Sequence, residues 1–332
     1  MKGTPTDKRT PKRLIFAVLA LLLLVLSPGF LANIMVQQAQ MDRIFGTGTD
    51  YFRQFPTRLS STNTTGVQDI SRFGLPVPRV YIDSLPDGLE DMQVKQRKAV
   101  FNATMLPLVL KANEDIRIER AEILAMRDKI KLTAEEKSRL VTIARKYRLD
   151  LDPTKPDFVR LLRRVDIIPP SLALAQSAIE SGWGTSRFAR EGNALYGQWV
   201  WGSSTGIVPE GRDKGARHSI RAFDSLLDSV RAYMLNLNRH RAYSDFRRAR
   251  EAARQSLETD GRNISGKRLA GALEAYSTRR GEYVKELRVI IDANRYTGLD
   301  QARLEPPWWR QQPVDTATAR EGQETQETVA LR

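Results

Sequence analysis

The sequence predicts an α+β chain, mostly α, with a small antiparallel β-lobe, preceded by an N-terminal transmembrane helix. Three observations carry this. Residues 14–36, LIFAVLALLLLVLSPGFLANIMV, hold no charge. Apolar residues then recur at helical spacing through most of the chain from about residue 90. Between residues 196 and 223 the period changes to two, with glycine-flanked turns.

The uncharged run is long enough, at about 1.5 Å per residue, to cross about 30 Å of hydrocarbon. Ahead of it, MKGTPTDKRTPKR carries five basic residues. That asymmetry predicts residues 1–13 as a cytoplasmic segment, 14–36 as an anchor or signal segment, and the remainder outside the cytoplasm. Ser27-Pro28-Gly29 leaves a cleaved signal peptide open. Residues 37–88, rich in Thr, Ser, Pro and Gly, read as a linker that becomes ordered near Val80-Tyr81-Ile82.

The formal charge of +14 points to an anionic partner: nucleic acid, anionic lipid or an acidic wall polymer. An export signal argues against nucleic acid. The chain has no cysteine and two histidines, so neither disulfides nor a metal cluster is expected, and no cofactor is implied.

A helical leader region is predicted over 89–168. Its first helix starts near Glu90, with Pro107 as a kink. Thr133 and Glu136 form a capping box for a second helix, whose apolar face is Leu140, Ile143, Ala144 and Tyr147. Asp157 starts a third. Pro169-Pro170 opens the helix SLALAQSAIE, because proline in a first turn lacks only a donor that has no partner there. YGQWVW, GIVPE and RHSIRAF read as three strands. Ser225 and Asp228 read as a second capping box, and further helices fall around 267–276 and 283–294. The domain is drawn over 169–300 and the aliphatic-poor tail, 301–332, as disordered.

Within SAIESGWGTSRFAREGNALYGQW, residues 177–199, one acid stands between an apolar run and a Gly-Trp-Gly turn. Gly182 should end the helix with a left-handed cap, leaving Glu180 in the last turn. The helix dipole is negative there, and Ile179 and Trp183 can exclude water, so the carboxyl should hold its proton. An acid that stays protonated can donate to a leaving oxygen. A solvent-exposed glutamate at a frayed helix end is the alternative.

The same segment resembles the signature of the bacterial glucosaminidase family, glycoside hydrolase family 73, whose alanine-rich helix ends in Glu-Ser-Gly-Trp-Gly. VDIIPPSLALAQSAIESGWG, GQWVW, GIVP, DSVRAYMLNLN, HRAY and LAGALEAYS are similar to the Bax-type branch, and TMLPLVLKANE resembles that branch's leader. The resemblance covers roughly residues 78–296. It implies a lysozyme-like helical domain with a β-lobe over a cleft, cutting the β-1,4 bond after N-acetylglucosamine in peptidoglycan glycan strands. It makes Glu180 the catalytic acid. Tyr233 and Tyr243 would line the cleft, and Asn193, Tyr196 and Gly197 would form its floor. Trp183, Trp199 and Trp201 could stack on sugars, although Trp183 equally reads as core, and Tyr233 as a helix-core aromatic beside Met234 and Leu237.

Glycosidases usually need a second carboxylate. The family's second acid is expected near the lobe turn, which points to Glu210 ahead of Asp213, with no second acid as the remaining option. Glu191 reads as a partner of Arg190, and Asp224 and Asp228 as helix-start residues. Leu-Tyr-Gly-Gln stands where lytic transglycosylases, the competing reading, usually have Gly-Leu-Met-Gln. A non-catalytic wall-binding scaffold is the third reading. The expected partners are peptidoglycan and the inner membrane, with the catalytic domain in the periplasm.

Overall fold

The computed structural model describes residues 76–201, 206–209, 218–257 and 264–307. The anchor or signal segment and the linker up to residue 75 lie outside the described residues. Among those described, no helix is long and apolar enough to cross a membrane.

The helices are α1 (Val94–Arg127), α2 (Ala134–Lys146), α3 (Phe158–Arg164), α4 (Pro170–Ser181) and α5 (Arg187–Gly192). Three strands follow, β1 (Trp199–Trp201), β2 (Gly206–Ile207) and β3 (His218–Arg221). The chain continues through α6 (Leu226–Arg239), α7 (Ser244–Leu257), α8 (Gly266–Leu269) and α9 (Gly281–Ala293). Tighter 3-10 turns occupy Arg241–Tyr243, Ala270–Tyr276 and Tyr296–Gln301. The strands form one antiparallel sheet in the order β1-β3-β2, with Trp199 opposite Ile220 and Ile207 also opposite Ile220. The expected class, mostly α with a small antiparallel lobe, is what forms.

Helix α4 is central. Residues from Pro170 to Ala178 are all buried, as expected of a helix without a polar stripe. It packs on α1, α8, α9 and the turn at Tyr296–Gln301. The leader is part of the same core. Val100 to Leu110 of α1 are buried without interruption, and they join one hydrophobic cluster with α4, α6 and α9. Pro107 lies within α1, which continues on both sides of it.

Polar clamps fix α4. Asn113 of α1 donates to the Ile168 carbonyl (2.7 Å) and accepts from the Ile168 amide (3.0 Å). The buried Asp300 carboxylate accepts from the Ser171 and Gly266 amides, both at 2.9 Å, and so serves the first turns of α4 and α8 together. Burial pushes its carboxyl up to about 6.

Just before α4, the buried Asp166 faces three guanidiniums. Arg254 donates to both its oxygens, Oδ2 at 2.9 Å; Arg250 lies at 3.7 Å and Arg120 at 3.8 Å. Burial alone would lift this carboxyl, but the arginines outweigh it and hold it below the usual range. Arg250 is 0% exposed and donates to the carbonyls of Asp166, Ile167 and Arg163 and to Asn238 Oδ1.

Several expectations form as read. The Thr133–Glu136 capping box is complete, the Leu140–Tyr147 face is buried, Asp157 caps α3, and Pro170 opens α4. Others need correction. Helix α1 starts at Val94, four residues after Glu90. Ser225 caps α6, but its hydroxyl donates to Asp228 Oδ2 (2.7 Å), so the box lacks its reciprocal half. The 267–276 helix is a short α8 followed by a 3-10 turn broken at Leu273. Helix α7 was not anticipated. Its inward face carries Arg247 and Arg250 beside Phe246, which hides the apolar period. The linker and tail boundaries also shift. Val77 and Leu304 form a parallel bridge, with Val77 N to Arg303 O at 2.8 Å and Glu305 N to Val77 O at 2.9 Å, so residues 302–305 of the expected disordered tail are held.

Removing the Asp166 charge would leave Arg250 buried without its counter-ion. Asp166→Asn should therefore cost about 3–5 kcal/mol in urea unfolding, with an unchanged denaturant slope. Because the native carboxyl is depressed, its contribution is present above the unfolded carboxylate range and fades as pH falls through the native value, so wild type and variant should converge in acid.

Candidate active site

Gly182, at φ 58°, caps α4, and the Gly182-Trp183-Gly184 turn is left-handed at all three residues. The turn is closed by Trp183 N to Ala178 O (2.9 Å) and Ser186 N to Ser181 O (2.9 Å). It folds onto α1, where the Trp183 ring meets Phe101 edge-on at 5.8 Å beneath Lys98 Nζ at 4.6 Å. Trp183 is half-buried and packs against the core from its edge.

Glu180 is left half-buried in the last turn of α4. Tyr283 of α9 donates its hydroxyl to Glu180 Oε1 at 2.8 Å. Gln176, one turn back on α4, donates from Nε2 to the Tyr283 oxygen (3.0 Å), and its own Oε1 accepts from Tyr233 (2.6 Å). Gln176 and Tyr233 are each 0% exposed. The donors therefore run in one direction, Tyr233 to Gln176 to Tyr283 to Glu180. This direction leaves Oε1 as an acceptor and Oε2 as the oxygen that can carry the proton. A side chain added at Gly197 would stand 3.6 Å from Oε2, and Gly197 adopts φ +56°. Only glycine combines that backbone with an open face toward the carboxyl.

Burial raises the Glu180 carboxyl above its usual range. The Tyr283 hydrogen bond and Arg279 oppose this, while the nearby Glu286 adds to it. The shift has the direction read from the sequence, and burial is its first cause. Arg279 and Glu286 pair with each other at 2.7 Å.

A tyrosine cluster backs the carboxyl. Tyr196 stacks on Tyr233 at 3.8 Å, Tyr276 stacks on Tyr283 at 5.6 Å, and Tyr243 lies 5.9 Å from Tyr276. Tyr196, Tyr233 and Tyr243 are buried, so Tyr233 in particular is a core residue and not a surface of the cleft. Beyond Tyr276 lies an open groove of about 790 Å³, bordered by Ala242, Asp245, Gly271, Glu274, Ala275 and Arg280. Asn193, at φ 52°, caps α5 and donates to the Phe223 carbonyl (3.1 Å), stapling the chain that enters the lobe to the chain that leaves it. Trp199 in β1 is 56% exposed, the one expected sugar-facing tryptophan whose described side chain stands in the open.

Glu210 and Asp213 lie outside the described residues. Glu191 pairs with Arg187 at 3.3 Å, whereas Arg190 pairs with Glu90. The expected Glu191–Arg190 pair does not form, because positions i and i+4 share a helix face and adjacent positions do not. Sequence reading missed Gln176, Tyr283 and Tyr276. Gln176 had a signal, the one side-chain amide of its helix, four residues before Glu180; Tyr283, more than 100 residues away, had none. Among the described residues no group of acids and histidines could hold a metal.

The family described as Glucosaminidase, Mannosyl-glycoprotein endo-beta-N-acetylglucosaminidase, matches residues 155–296. Protein bax of Escherichia coli (strain K12) is 33% identical over 214 residues, 64% of this chain and 75% of that protein. No solved structure matches.

The raised carboxyl makes a signed expectation. Tyr283→Phe removes a bond that favours the ionised form, so Glu180 should titrate at a still higher pH, read from its side-chain carboxyl shift by NMR. Because the native value already exceeds the unfolded one, Glu180 favours folding below the usual carboxylate range, and this is lost as pH rises through the native value. A Glu180 that titrates lower in the variant would overturn the hydrogen-bond direction given above.

Proposed function

Because the chain belongs to the glucosaminidase family, in its Bax-type branch, we propose that it is a peptidoglycan hydrolase, an endo-β-N-acetylglucosaminidase that cuts after N-acetylglucosamine with Glu180 as general acid. One observation carries the assignment: a desolvated carboxyl whose Oε1 is occupied by Tyr283 and whose Oε2 faces the side-chain-free Gly197. Such a group can hold a proton near neutral pH and pass it to the glycosidic oxygen as the bond breaks. Tyr196, Tyr233 and Tyr243 support the site from behind, Asn193 fixes the lobe, and Trp199 offers an exposed face for a sugar ring. Glu210, between β2 and β3 in the sequence, is proposed as the second carboxylate that activates water or attacks the sugar.

The basic N-terminus and the charge-free run of residues 14–36 support a single-pass inner-membrane anchor with the catalytic domain in the periplasm. Alkaline carbonate should leave the intact protein in the membrane fraction. Its release, or a mature N-terminus near Phe30, would sink the anchor.

Muropeptide mass spectrometry after digestion of sacculi tests the chemistry. Wild type should leave reducing N-acetylglucosamine ends; anhydro-muramic ends would mean transglycosylation. Glu180→Gln should lower turnover by about 10²–10⁴ with thermal stability unchanged or slightly raised, since the amide keeps the shape and removes a disfavoured charge. Glu210→Gln should lower turnover at least about tenfold. A Glu180→Gln enzyme within tenfold of wild type would refute the acid, and wild-type turnover in Glu210→Gln would refute the second carboxylate.

A further inference from the structure

Around His240 the chain gathers arginines that, among the described residues, outnumber the acids paired with them. The C-terminal ends of α2 and α6 meet here beside α3. Arg164 donates to the carbonyls of Tyr147 (2.6 Å), Arg148 (3.1 Å) and Arg239 (3.2 Å). Arg247 donates to those of Leu237 (2.9 Å) and His240 (2.8 Å). Both guanidiniums serve the negative ends of helices, so they hold the elements together while, among the described residues, their charge meets no carboxylate. Arg148, Arg160, Arg221 and Arg241 stand exposed, and Arg239 half-buried. Among the described residues no carboxylate pairs with any of these five. Arg163 and Arg248 next to them are held by Glu251 and Asp245.

Two further facts separate this surface from ordinary basic decoration. Arg148 adopts φ 55° just beyond α2, a helix-terminating position that glycine fills without steric cost. The surface also leads to the site. Arg241 opens the Arg241–Tyr243 turn, where the His240 and Tyr243 rings lie 5.8 Å apart. Tyr243 meets Tyr276, which stacks on Tyr283, whose hydroxyl holds Glu180. At the other end Arg221 closes β3 of the lobe. The charges bear on one another: burial first, then Arg148 and Arg221, depress Arg239, and burial, then Arg148 and Arg241, depress His240.

We infer that this arginine surface binds the carboxylates of the peptide stems on the strand held at Glu180, so that the enzyme takes peptide-bearing glycan in preference to bare glycan. The inference rests on the hydrolase reading above. An anion attached to the polymer being cut fits a field that begins at the turn and the lobe beside Glu180. Guanidinium suits it because a planar fork grips a carboxylate through two parallel bonds. An anionic bilayer is the rival occupant.

The test combines Arg148→Gly, Arg160→Gln and Arg241→Gln in the full chain; the first also relieves a left-handed arginine, so the fold should not suffer. Peptide-bearing strands and strands stripped of peptides by an amidase are the two substrates. The variant should lower the ratio of kcat/KM on peptide-bearing over bare strands about tenfold at low salt. The difference should vanish near 1 M salt, where the Debye length is about 3 Å. An unchanged ratio, or an unchanged salt response, overturns the inference while leaving the hydrolase intact. Sedimentation with sacculi, in a Glu180→Gln background that cannot cut, decides the matter independently of turnover. About tenfold weaker retention supports it even if the wild type proves inactive. Unchanged retention, or a loss confined to phosphatidylglycerol vesicles, refutes it.

Discussion

Asp166 is the point on which the arrangement of helices depends. A carboxylate that is 2% exposed cannot stay charged without compensation. Its compensation comes from Arg120 on α1 and from Arg250 and Arg254 on α7. The guanidinium of Arg250 in turn needs its own acceptors, and it finds them on the backbone at Arg163, Asp166 and Ile167 and on Asn238 of α6. One acid thus commits four helices and the segment that enters α4. Buried ion pairs of this kind add little net stability over apolar packing, but they penalise every arrangement that leaves a member unpaired. What Asp166 supplies is a unique docking of α4, four residues further on.

That docking matters because the chemistry is spread over elements that are distant in sequence. Glu180 and Gln176 ride on α4, Tyr233 on α6, Tyr283 on α9, and Gly197 on the chain entering the lobe. The hydrogen bonds among them have a direction, and a direction needs every member in place. If α9 moved, Glu180 would lose the hydroxyl that distinguishes Oε1 from Oε2. If α6 moved, the Gln176 amide would lose the acceptor role that fixes its orientation. Asp300 contributes at the opposite end of α4 by serving two helix starts at once. Its burial and that of Glu180 both disfavour ionisation, so a reluctant carboxyl stands at each end of α4, Asp300 against its first turn and Glu180 in its last.

The sequence disclosed the parts governed by local rules. Pro169-Pro170 and Gly182 bound α4 correctly because a missing donor and a left-handed cap act over one turn. The Thr133–Glu136 box and the Asp157 cap are equally local. The raised Glu180 carboxyl was legible because helix end and apolar neighbours lie within a few residues. Helix α7 was not legible, since its inward positions include Arg247 and Arg250, whose burial makes sense only once Asp166 and the carbonyls at Leu237 and His240 are known. Tyr233 was read as either cleft or core, and only its stacking on Tyr196 and its bond to Gln176 decide for core. For Trp183 the turn was evident, but its partner Phe101 lies on the leader helix.

The strongly basic composition can now be divided by environment. Some arginines, such as Arg250 and Arg254, are structural and meet Asp166 inside the protein. Others, such as Arg164 and Arg247, cap helices through carbonyls and retain their charge. A lysine could supply the charge in either place, but a compact ammonium cannot reach several carbonyls in fixed directions as a planar fork does. Arg250 alone donates to three backbone carbonyls and a side-chain amide oxygen, which requires the guanidinium geometry. Using arginine as a backbone clamp leaves a surplus of positive charge wherever no carboxylate accompanies it. Around His240 that surplus borders the Arg241–Tyr243 turn, so the same residues that join the helix ends also give this surface its positive charge.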